Sequence, residues 1–140
     1  DGLLTNISVA LQYLSAWVAG SGAVTIHNQM EDAATVEISR AQVWQWIRNS
    51  VTLAEGPTVT AELVRQLLDQ EMARLNQSSD PQQKERREAG RDIFEYAALG
   101  DMMPGFFTQY AYVKYLLEGG LRMSGPLSHG DLRTSERVAR

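Results

Sequence analysis

Two adjacent carboxylates, Glu31 and Asp32, stand where a loop gives way to a helical pattern, and they are the acidic pair best placed to do acid–base chemistry. Asp32 is positioned to be the N-cap of the helix that follows. Its side chain can accept from the free backbone N–H groups of the first turn. The helix dipole favours a negative charge at that point. An ionised carboxylate on a rigid helix end, beside a Gly-containing loop, could serve as a general base. It could equally be a plain cap, and the chemistry of the residue alone leaves both readings open. Met30 and Glu31, immediately before it, are the neighbours that could line the same site.

Other chemistry is poorly supported. His27 and His129 are far apart and lack companions, so they do not suggest a metal site, and each reads as a loop or surface histidine. Gly20-Ser21-Gly22 lacks the preceding strand and the spacing of a nucleotide-binding loop. With no cysteine, disulfides and thiolate sites are excluded, and a reducing compartment is expected. A net charge of −4 without a basic stripe argues against nucleic acid. The longest apolar stretch, Leu3 to Val18, is interrupted by Thr5, Asn6, Ser8, Gln12 and Ser15, which argues against a membrane span or signal peptide.

The elements that must position the carboxylates read as helices. A chain of 140 residues makes one domain that buries roughly two thirds of its unfolded surface. In Leu3–Ala19, Leu4, Ile7, Ala10, Leu11, Leu14, Trp17 and Val18 share a face, and Gly20-Ser21-Gly22 ends that helix. Val24-Thr25-Ile26 reads as extended but without a partner strand. The second helix, about Ala33 to Asn49, has two apolar stripes: Ala34, Ile38 and Ala41 on one side, Val36, Val43 and Ile47 nearly opposite. Trp44 and Trp46 diverge by about 200°. Such a helix is central in a bundle, or packs one face on a body outside this chain. In the second case the uncovered face is expected to hold one of the tryptophans with part of Val36, Val43 and Ile47.

Thr60 caps a third helix with the stripe Leu63, Val64, Leu67, Leu68, Met72 and Leu75. Asp80-Pro81-Gln82-Gln83 starts a fourth, which runs to about Leu99. The mixed-charge run Lys84 to Arg91 reads as a solvated face. A fifth helix, about Met103 to Glu118, aligns Phe106, Tyr110, Val113 and Leu117. Residues 119–140 are polar and are expected to be disordered. The fold class is therefore all-α, a single bundle of about five helices.

The segment Met30-Glu31-Asp32-Ala33-Ala34-Thr35-Val36-Glu37-Ile38-Ser39-Arg40-Ala41-Gln42-Val43-Trp44-Gln45-Trp46-Ile47 closely resembles the C-terminal signature of malate synthases, commonly MEDAATAEISRAQ(L/V)WQWI. Asn6 to Val9, Gln12 to Leu14, Ala16-Trp17, Thr60 to Val64 and Phe106 to Leu116 extend the likeness over residues 1 to about 118. The loop departs from it: GAVTIHNQMED stands where many relatives read GCVPINNLMED.

The resemblance implies the C-terminal helical cap domain of a TIM-barrel enzyme that condenses acetyl-CoA with glyoxylate and water to give malate and CoA. It implies Asp32 as the general base, with Met30 and Glu31 lining the acyl-CoA side of the interface with the barrel as substrate-binding residues. Magnesium and the activating arginine are expected on the barrel, with no metal held by this chain, and the fragment is expected to be inactive alone. The barrel of the same protein, acetyl-CoA and glyoxylate are the implied partners, with neither nucleic acid nor membrane among them. The end Val138-Ala139-Arg140 is no peroxisomal signal, so a cytoplasmic bacterial parent is expected. The alternative is a stand-alone helical binding module without catalysis.

Overall fold

A computed structural model describes residues 2–54 and 56–117. In chain order its elements are α1 (Gly2–Val18), β1 (Val24–Ile26), β2 (Gln29–Glu31), α2 (Ala33–Arg48), α3 (Ala61–Asn76), α4 (Pro81–Ala98) and α5 (Phe107–Ala111), the last continuing as a π-helix over Tyr112–Leu117. The expected tail, 119–140, lies outside the described residues.

The central helix is α1. It buries Leu3, Ile7, Ala10, Leu11, Tyr13 and Leu14, and packs most extensively on α4, then on α2, with further contacts to α3 and β1. The α4 face that meets it is built from small residues, Ala89, Gly90, Ala97 and Ala98, around Ile93 and Phe94. Gly90 sets the closest approach, because a Cβ there would stand 3.2 Å from both Leu14 Cβ and Ser15 N. The end of α1 follows the glycine signal. Gly20 takes φ 97°, Ser21 N donates to Ala16 O and Gly20 N to Trp17 O, both at 2.9 Å.

The caps read from sequence are formed. Asp80 Oδ1 accepts from Gln83 N at 2.8 Å with Pro81 in the first turn, and Thr60 Oγ1 accepts from Leu63 N at 3.1 Å. Three expectations need correction. First, Val24–Ile26 has a partner: it pairs antiparallel with Gln29–Glu31, so the helical bundle carries a hairpin. His27 (φ 49°) and Asn28 (φ 62°) make the two-residue turn, both left-handed as the twist of a tight hairpin requires. Second, the mixed-charge run is not only a solvated face. Arg87 donates to Leu75 O and Asn76 Oδ1 as well as to Ser79 Oγ, and Arg91 reaches Asp69 and Glu95, so both arginines join α4 to α3.

Third, the last helix begins later than Met103, and its buried residues are Phe107 and Ala111, one place along from the expected stripe. Phe106 is 61% exposed, and Val113 and Leu117 are about half exposed. Pro104 and Gly105 stay outside the helix, and beyond Ala111 the i→i+5 bonding throws a 3.6-residue stripe out of phase. Asp92 ties this segment to α4 by accepting from Tyr110 Oη, Lys114 Nζ and Tyr115 Oη. Burial acts to raise the Asp92 carboxyl, but hydrogen bonds from Lys114, Tyr115 and Tyr110 hold it below its ordinary value. Burial, followed by the bond to Asp92, pushes the Tyr115 phenol up to about 12.

Candidate functional site

The hairpin delivers the chain directly into α2, and Asp32 is the single residue between them. Its backbone is extended (φ −127°, ψ −174°), its Oδ1 accepts from Ala34 N at 2.9 Å and its carbonyl accepts from Thr35 N at 3.1 Å. Asp32 is exposed, and its Oδ2 accepts no hydrogen bond among the described residues. One carboxylate oxygen is thus fixed by the helix while the other remains available.

Glu31 is half-buried and points its chemistry elsewhere: its Oε2 accepts from Thr35 Oγ1 at 2.6 Å, bracing the strand–helix junction. Met30 faces Thr25 across the hairpin and is 72% exposed. The structure therefore brings Glu31 and Asp32 to one helix end and leaves Met30 projecting beside them. His27 sits in the exposed turn. Among the described residues no three His, Cys, Asp or Glu side chains converge to hold a metal ion.

Beneath the hairpin lies Tyr13, fully buried on α1, whose hydroxyl donates to Gly22 O at 2.7 Å. Burial raises the Tyr13 phenol pKa, and the negative charge of Asp32 raises it further. Tyr13, bonded to Gly22 before the first strand, and the buried Ile26 beside the turn anchor the hairpin, so the junction has support from α1 as well as from α2.

The helix behind Asp32 differs from the expectation. Val36 and Val43, 1% and 0% exposed, face inward with Ser39 and Arg40, whereas Ile38 is 66% exposed and Ala34 is also exposed. The uncovered side is thus the Ala34–Ile38 stripe and not that of Val36, Val43 and Ile47. Both Trp44 and Trp46 are half-buried; Trp44 Nε1 donates to Gly100 O at 3.0 Å.

Two charged residues of α2 escaped the sequence reading. Arg40 is 2% exposed. Its guanidinium binds Glu37 Oε2 at 2.5–2.6 Å, Pro104 O at 2.8 Å and Gly105 O at 2.7 Å. Glu37 Oε1 in turn accepts from Phe107 N at 2.9 Å, capping a helix whose own N-cap, Phe106, has no side-chain acceptor. The available signal was an Asp-x4-Glu-x2-Arg spacing inside one helix, with the arginine on the same side as Val36 and Val43.

Fold and site together define a small helical domain that presents an accessible carboxylate at a hairpin–helix junction. Residues 1–115 match the family described as malate synthase, C-terminal, and the chain belongs to that family. The malate synthase of Myxococcus xanthus (strain DK1622) is 44% identical over 117 residues, covering 80% of this chain and 21% of that protein. The glyoxysomal malate synthase of Zea mays is 43% identical over 118 residues, with the same coverage. Malate synthase A of Escherichia coli (strain K12) is 53% identical over 72 residues, 51% of this chain and 14% of that protein. The chain spans about a fifth of the length of the first two relatives.

Proposed function

We propose that this domain supplies the general base to a malate synthase, with Asp32 taking a proton from the acetyl methyl of acetyl-CoA. The observation that carries the proposal is the state of its carboxylate, one oxygen fixed to Ala34 N and the other unengaged on an exposed helix end. The enolate formed then attacks the aldehyde carbon of glyoxylate, and hydrolysis of the thioester releases malate and CoA. A thioester α-carbon is a weak acid, so such a base succeeds only where positive charge stabilises the enolate oxygen. In this reading that charge, with the magnesium, comes from a barrel in the remaining four fifths of the polypeptide. Met30 and Glu31 line the junction, Met30 on the acyl-CoA side and Glu31 holding the strand–helix turn. The exposed Ala34–Ile38 stripe and Met30 form the surface that meets the barrel, since exposed apolar patches on soluble domains mark interfaces.

No helix among the described residues is long and apolar enough to cross a membrane. A cytoplasmic parent remains part of the proposal. The test is Asp32→Asn in the full-length enzyme, assayed for malate formation and for exchange of the acetyl-CoA methyl protons with solvent. Loss of both supports the assignment. Turnover within a few-fold of the unaltered enzyme makes Asp32 a cap and places the base elsewhere.

A further inference from the structure

Asp32 has no buried side chain beneath it for its first turn: Ala33 and Thr35 are half-buried, Ala34 is exposed, and the first fully buried residue of α2 is Val36. The hairpin holds the helix N-terminus from one side, through Glu31–Thr35 and Tyr13–Gly22, and what grips α2 from Val36 onward holds it from the other. The strongest polar grip there is the Glu37–Arg40 pair. Its arginine is buried and its glutamate partly so, it is bidentate on one carboxylate oxygen, and it holds three backbone groups of residues 104–107. Glu37 lies five residues from Asp32, about 7.5 Å along a rigid helix. A shift at this pair carries directly to the carboxylate.

We propose that Glu37 and Arg40 are positioning residues for proton abstraction by Asp32, acting by pinning the first two turns of α2 to the 104–107 segment. This rests on Asp32 being the base. Neither residue touches substrate, and the effect is geometric. Reaction rates at near-attack geometry fall by up to about 10²-fold for a displacement of ~1 Å, so loosening this anchor shows in the chemical step before it shows in binding.

The experiment uses the full-length enzyme. Arg40→Lys keeps the charge but loses the planar fork that reaches Glu37 and two carbonyls. Because leaving the buried Arg40 charge unpaired can prevent folding, a second variant, Glu37→Leu with Arg40→Met, removes both charges and keeps apolar volume. Turnover is measured per folded molecule, with KM for both substrates and the primary isotope effect with trideuterated acetyl-CoA; Asp32→Asn is run alongside.

The expected result is a kcat lower by about tenfold or more in whichever variant folds, KM within about threefold, and an isotope effect at or above the unaltered enzyme's. The double variant is expected to fold with a melting temperature lowered by the lost partners of Pro104 O, Gly105 O and Phe107 N, and still to show the kcat loss per folded molecule. A kcat per folded molecule less than about tenfold down, or an isotope effect that falls toward unity, overturns the inference. Failure of both variants to fold overturns it too, since the pair then serves stability. If Asp32→Asn itself turns over normally, it is the base assignment that fails, and the two failures are told apart by that arm.

Discussion

Asp32 is a cap and, in the reading proposed above, a base, and a substitution can separate the two roles. Asparagine caps as well as aspartate, so Asp32→Asn should keep the bond to Ala34 N and leave the melting temperature almost unchanged. In the full-length enzyme turnover should fall about a hundredfold or more, the usual scale for losing a general base. A second residue-scale prediction concerns Glu71, 4% exposed, which accepts from Ser8 Oγ and from two nitrogens of Arg74. The Arg74 hydrogen bonds hold its carboxyl below the usual range, outweighing burial, with Ser8 adding to the lowering. A carboxylate depressed in the folded state stabilises the fold above its unfolded pKa of about 4.3 and ceases to do so as pH falls through the lower folded value. The melting temperature of the chain should therefore drop more steeply below about pH 4.3 than that of Glu71→Gln, which carries no proton to gain there. Parallel acid profiles would remove Glu71 from the account.

Three helix starts here carry a local instruction in side-chain chemistry, and those were readable. Thr60, Asp80-Pro81 and Asp32 announced their helices through capping groups, and all three form the expected bonds. Where the instruction came from a distant residue it was silent. The hairpin has only three residues per strand, and its turn is His27-Asn28 instead of the Asn-Gly or Asp-Gly that usually signals one. The start of α5 is set by Glu37, seventy positions away in the chain, so no local pattern could place it. Of the candidate site, Asp32 was legible through its cap position and its motif. Arg40 was not, because a charged residue in a helix reads by default as solvated. Packing between elements gives a further test at Gly90. Alanine is favoured over glycine in a helix interior by about 1 kcal/mol, but its Cβ would crowd the Ser15 backbone nitrogen at 3.2 Å, which cannot swing aside. Gly90→Ala should therefore destabilise the chain by about 1 kcal/mol net, overpacking outweighing propensity, measured as a lower urea midpoint. A raised midpoint would mean that α1 and α4 separate at little cost.

As a whole molecule, the chain combines a complete small core with an uncovered side. The purified 140-residue chain should form no malate from acetyl-CoA and glyoxylate, because the groups proposed to stabilise the enolate lie outside it. Malate above background would overturn that. The exposed Ile38 and Met30 should make it self-associate weakly, and Ile38→Glu should abolish the concentration dependence of its sedimentation without lowering its melting temperature. The network around Arg40 also has a consequence for the order in which the molecule is made. Arg40 meets Pro104 and Gly105 across 64 and 65 positions, and Glu37 meets Phe107 across 70. On a ribosome adding about 5–20 residues per second, those carbonyls follow Arg40 by roughly 3–13 s. Until they emerge, the Arg40 guanidinium keeps only Glu37 and the Ala97 carbonyl among these partners, so α2 is not yet pinned to the 104–107 segment. The anchor proposed to position Asp32 is thus completed late in the domain's synthesis, and a nascent chain cut short before residue 104 keeps the local cap to Ala34 N but lacks that anchor.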